Sequence, residues 1–117
     1  MLLRAALLVV IVLAGCKRDP DAAPPCGAVA AKFLYLAERD LGQAAVDDAS
    51  RRAVRAQLPV MRDSLAAACS DTQWSAEVRR CLHAAEDHLG FETCQQALTE
   101  DQRRALDRAA RAETDSH

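Results

Sequence analysis

Residues 74–89 read WSAEVRRCLHAAEDHL. Trp74, Val78, Cys81, Leu82, Ala85 and Leu89 recur at i, i+4, i+7, i+8, i+11 and i+15, which lays an apolar stripe along one helical face. Ser75 with Glu77 just behind it makes a reasonable helix start, and Gly90 is the expected stop. Strand-like alternation is absent here and along the chain, and β-branched residues are few, so the stripe points to an all-α fold.

The neighbouring segments follow the same period. Towards the N-terminus, Ser70-Asp71-Thr72 breaks an earlier helix expected over about 47–69, where Val54, Leu58, Met61, Leu65 and Ala68 keep a 4-3-4-3 spacing. Pro59 interrupts that pattern. It removes one helical hydrogen bond, so the helix either kinks or stops and restarts with Pro59 as its first residue. The apolar phase survives the proline, so both pieces are expected to face one core. A first helix is expected from Cys26 to about Leu41, closed by Gly42, with Val29, Phe33, Leu36 and Ala37 on its apolar face. Towards the C-terminus, a short helix over about 91–97 carries Cys94. A last helix opens at Thr99, where Thr99 and Gln102 have capping-box spacing and Glu100 and Asp101 favour the first turn. Residues 113–117 are expected to fray. No internal repeat is evident.

The N-terminus has a different character. Met1 to Arg4 form a short cationic start, and Ala5 to Leu13 (AALLVVIVL) form an apolar run far below the ~20 residues a spanning helix needs. The run closes on Leu13-Ala14-Gly15-Cys16. This stretch resembles the signal peptide and lipobox of bacterial lipoproteins. The resemblance implies diacylglycerol on the Cys16 thiol, cleavage between Gly15 and Cys16, and attachment to a membrane through the lipid. Lys17 follows the cysteine, and the lack of an aspartate there favours the outer membrane, facing the periplasm. The expected organisation is a cleaved signal over 1–15, lipidated Cys16 and a proline-rich tether over 16–25, a helical domain over 26–113, and a disordered tail over 114–117.

Composition sets further bounds. Removing Arg4 from the 15 basic residues leaves 14 against 17 acidic ones, a formal charge of −3 for the mature chain. That balance gives no attraction for nucleic acid. Phe33, Tyr35, Trp74 and Phe91 are the only aromatic residues, too few for a stacking platform. With Cys16 assigned to lipid, four of the five cysteines remain, an even number in an exported small domain, which reads as two disulfides. If the first two helices form an antiparallel hairpin, Cys26 lies beside Cys69. Cys81 and Cys94 flank the expected Leu89-Gly90 turn. The pairing Cys26–Cys69 with Cys81–Cys94 is therefore expected, with Cys26–Cys81 and Cys69–Cys94 as the alternative. In the chain-entropy model the first pairing contributes about 4 and 3 kcal/mol. A four-cysteine metal site fits poorly, because no Cys-x-x-Cys pair occurs.

Candidate chemistry is sparse. His83 and His88 stand near Glu86 and Asp87, but five residues on one helix rotate them about 140° apart, so they cannot share an ion. His83 with Asp87 forms an i, i+4 pair of weak metal-binding geometry; a solvated helix face is the simpler reading. There is no nucleophile elbow and no glycine-rich phosphate loop. The pairs Arg51-Arg52, Arg79-Arg80 and Arg103-Arg104 alternate with acids and read as a salt-laced surface. No catalytic residue, metal site, cofactor or small-molecule substrate is therefore expected.

Leu98-Thr99-Glu100-Asp101-Gln102 resembles the LTxxQ motif of small helical periplasmic chaperones of the Spy and CpxP type. It occurs once here, where that family carries two copies. Taken whole, the chain is similar to small cysteine-containing helical lipoproteins of myxobacteria. The expectation is an irregular bundle of four to five short helices stapled by two disulfides. It would be a non-enzymatic, membrane-anchored interaction or envelope-structural module with an envelope protein partner. The alternative is a chaperone-like or stress-sensing cradle.

Overall fold

In the computed structural model the described residues are 22–115, with side chains described to residue 112. Among the described residues the fold is all-α, with five helices: α1 (Cys26–Gln43), α2 (Asp48–Asp71), α3 (Ala76–Ala84), α4 (His88–Gln95) and α5 (Glu100–Asp115). α1 and α2 pack on each other, α5 packs on α2, and the α3–α4 pair packs on α1. α1 thus carries α3 and α4, and α2 carries α5. Val29, Leu36, Leu65, Cys69, Trp74, Leu82, Phe91 and Leu98 form the main part of one continuous core.

The helix ends differ from the sequence expectation in instructive ways. α1 runs through Gly42 to Gln43 and stops at Ala44 in an extended conformation. Gly42 adopts no left-handed conformation. The terminal carbonyls instead accept from Arg51 of α2, which binds those of Leu41, Ala44 (3.0 Å) and Val46 (3.3 Å). α2 is a single helix with Pro59 inside it, neither stopped nor restarted there. Pro59 sits on an exposed face, and Leu58 and Leu65 are buried on either side of it. α2 ends in a Schellman turn. The Trp74 amide donates to the Cys69 carbonyl (3.1 Å) and the Gln73 amide to that of Ser70 (3.4 Å). Gln73 occupies the left-handed position at φ 49°.

Two expectations about the core fail. Val54 and Met61 stay 43% and 41% exposed, although they share the apolar phase of Leu58 and Leu65. Met61 lies between the buried Leu58 and Leu65 along α2, so the core covers only part of the apolar stripe. The helix expected to run to Leu89 stops at Ala84, and the next starts at His88 rather than at Phe91, ending at Gln95. Ala85 is extended, and Asp87 caps α4 by accepting from the Gly90 amide at 2.7 Å. Gly90 therefore lies inside a helix rather than ending one; a Cβ there would stand 3.0 Å from that capping oxygen. The break turns Leu89 outward, 73% exposed, and brings Phe91 into its place, 1% exposed. Phe91 packs on Phe33 of α1 with centroids 6.2 Å apart.

Candidate functional site

One device recurs at the start of every helix. The residue just before each cap offers its carbonyl to an arginine. In α2, α3 and α5 the caps are Asp47, Ser75 and Thr99, which accept from the amides of Ser50 (2.8 Å), Val78 (3.1 Å) and Gln102 (3.2 Å). Four residues after each cap stands an arginine, which folds back over the helix start. Arg51 donates to the Val46 carbonyl (3.3 Å), Arg79 to that of Trp74 (3.2 Å) and Arg103 to that of Leu98 (3.2 Å). The underlying pattern is apolar-cap-x-x-x-Arg: Val46-Asp47 to Arg51, Trp74-Ser75 to Arg79, Leu98-Thr99 to Arg103. The two remaining helices receive their arginine from elsewhere. Glu86 before α4 accepts from Arg39 of α1 at 2.8 Å, and Pro24 before α1 accepts from Arg79 of α3 at 2.8 Å.

The guanidinium suits this use because its planar fork presents five donors and serves two or three carbonyls at once. A cation near a helix N-terminus opposes the helix dipole. Asp48, Glu77, Glu100 and Asp101 in the same first turns supply compensating charge. The expectation of a salt-laced surface is thus corrected for Arg51, Arg79 and Arg103. It describes other residues better: Arg62 pairs with Asp63 at 2.9 Å, and Arg104 with Glu100.

The end of the bundle nearest residue 22 is the most densely tied. Cys26 at the start of α1 is bonded to Cys69 near the end of α2, with Cα atoms 5.8 Å apart. Arg79 holds Pro24 beside Trp74. Gln102 completes the capping box by accepting from the Thr99 amide at 2.9 Å, and its own amide donates to the Thr72 carbonyl at 3.0 Å. Leu98, Thr99 and Gln102 of the LTxxQ-like stretch therefore have local structural work: a buried side chain, a cap, and a tie from α5 to the end of α2.

The structure brings Cys81 to Cys94 as well, with Cα atoms 5.7 Å apart, joining α3 to α4. Cys16 and the tether as far as residue 21 lie outside the described residues. His83 and His88 sit on different helices, because of the break at 85–87, so the rotation argument for one helix does not apply to them. His88 pairs with Glu92 at 3.1 Å, and His83 is exposed. Among the described residues, no group of three or more potential metal ligands converges, and no helix is long and apolar enough to cross a membrane. An open cleft of about 270 Å³ separates α4 from α5, edged by Glu92, Gln95, Gln96, Arg103 and Asp107. Its arginine is already committed to the carbonyls of Gln96 and Leu98. The Asp47 carboxyl is held below its ordinary range by hydrogen bonds from the Ser50 amide and hydroxyl.

The arginine pattern was missed in the sequence, although its spacing was visible. Reading each arginine pair against neighbouring acids hid the relation to the cap four residues earlier. No family model matches the chain, and no curated protein or solved structure matches it.

Proposed function

We propose that the chain is a bacterial lipoprotein. Cys16 carries the lipid and holds the helical domain at the cell envelope, at the outer membrane on its periplasmic face. The domain acts there without catalysis, as a protein-interaction or envelope-structural module. The observation that supports this reading best is the use of cysteine. The two disulfides take up all four cysteines of the described residues, and the fifth in the sequence, Cys16, stands in the lipobox-like Leu13-Ala14-Gly15-Cys16.

The tie at Pro24 bounds the length of such an anchor. Pro24 stands eight steps along the chain from Cys16, a reach of about 29 Å at full extension. The tether would then enter the domain at the α1–α2 disulfide end. Two or three acyl chains give durable attachment where one does not. The test is metabolic labelling with an alkyne fatty acid, combined with membrane flotation. Wild-type chain should take label and float, and Cys16→Ala should do neither. Equal flotation of an unlabelled wild-type chain would overturn the anchor. Turnover of a specific substrate by the delipidated domain would overturn the non-catalytic part.

A further inference from the structure

The two disulfides stand in unequal surroundings. Cys69 is 0% exposed in the centre of the core, and its partner Cys26 is half-buried. Cys94 is also buried, but its partner Cys81 is exposed on the outer side of α3. Thiol–disulfide exchange needs a thiolate to reach one sulfur of the bond, so access decides which bridge reacts first.

The elements joined by the two bridges differ as well. α3 and α4 have 9 and 8 residues, below the ~12–15 at which an isolated helix becomes even marginal in water. The pair is held to the rest by its packing on α1, by Phe91 against Phe33, by Arg39 on the Glu86 carbonyl and by Arg79 on the Pro24 carbonyl. α1 and α2 keep their own bridge, and α5 packs on α2.

We propose that Cys81–Cys94 is a redox-sensitive latch on the α3–α4 arm, opened by a dithiol reductant while Cys26–Cys69 stays closed. One thiolate of the dithiol attacks Sγ of Cys81. The bond to Cys94 breaks, and its electron pair leaves on Cys94 Sγ, which takes a proton. The second thiolate of the dithiol attacks the reductant sulfur bound to Cys81, and Cys81 leaves and is protonated. The dithiol is oxidised by two electrons to its disulfide, and the Cys81–Cys94 bridge is reduced to two thiols. The freed arm loosens, and Leu82 and Phe91 become accessible while the α1–α2–α5 body persists. This inference does not depend on the lipid at Cys16.

The experiment is graded reduction of the purified full chain with dithiothreitol under native conditions, with alkylation and peptide mapping at each step. Cys81 and Cys94 should be alkylated about tenfold faster than Cys26 and Cys69. Simultaneous release of both bridges, or earlier release of Cys26–Cys69, would overturn the proposal. Hydrogen exchange on the singly reduced chain should then show lost protection over 76–98 and retained protection over 26–71. Unchanged protection over 76–98, or loss across both regions, would equally overturn it.

Discussion

Arg79 donates from Nη1 to the Pro24 carbonyl at 2.8 Å, across 55 residues of sequence. Through Nε the same guanidinium donates to the Trp74 carbonyl at 3.2 Å. One side chain thus closes the start of its own helix and ties down the chain leading into α1. At the other three helix starts the donors come from Arg51 (α2), Arg39 (α4) and Arg103 (α5).

Arg79→Ala should lower the unfolding free energy by about 2 kcal/mol, the scale of hydrogen bonds from a charged donor that leave carbonyls unpaired. Arg79→Lys should restore less than half of that, because an ammonium lacks the fork that reaches both oxygens. Urea unfolding with the disulfides intact measures both. Equal stability of the lysine variant and wild type would mean that charge, not geometry, matters at this position.

Gln73 holds a left-handed conformation at φ 49° in the turn between α2 and α3. Gln73→Gly should stabilise the chain by about 0.5–1 kcal/mol, since relief of the left-handed strain exceeds the added freedom of the unfolded chain. Gln73→Val should destabilise it by more than 1 kcal/mol, roughly the cost of a β-branched residue in that region. Opposite shifts in melting temperature are the expected readout.

Gln102 serves its own helix through an oxygen and α2 through a nitrogen. Gln102→Glu preserves the cap acceptor but sets a carboxylate against the Thr72 carbonyl. A loss of about 1–2 kcal/mol is expected, as for a removed donor with an unfavourable contact added. Thr99→Ala should cost about 1 kcal/mol through the cap alone. Combining Thr99→Ala with Gln102→Ala should cost less than the sum of the two single variants, because the capping box is shared.

The Asp47 carboxyl is depressed below its ordinary 3.8 by the Ser50 amide and hydroxyl. A depressed folded value means the unfolded chain binds the proton more readily. The stabilisation is therefore fully present above the unfolded value near 3.8, and it is lost as pH falls through the lower folded value. Asp47→Asn should remove this part of the acid sensitivity. Carboxyl titration by NMR, with a midpoint for Asp47 below that of solvent-exposed aspartates, is the check.

The all-α class was legible in the sequence because helical periodicity survives nearly everywhere, and Ser75 and Thr99 mark true starts. What stayed hidden depends on contacts between segments. The stripe through Leu89 is sound as a pattern, yet the chain breaks after Ala84 because Asp87 offers a cap and Phe91 fills the core better than Leu89. Val54 and Met61 carry the right phase, but phase alone does not say where a covering helix lies. Gln73 shows no glycine or asparagine signal for its turn. The hairpin argument placed Cys26 near Cys69 from topology alone, and a hairpin does bring those residues together. The LTxxQ-like stretch supplied a cap that the spacing announced and a tie to Thr72 that it did not.

Lipidation of Cys16 is open to intact mass analysis of the chain isolated from its native membrane. The chain should begin at Cys16 and be heavier than its amino acids by a diacylglyceryl group, with or without a further acyl chain on the new amine. An uncut N-terminus beginning at Met1, with an unmodified Cys16, would contradict it.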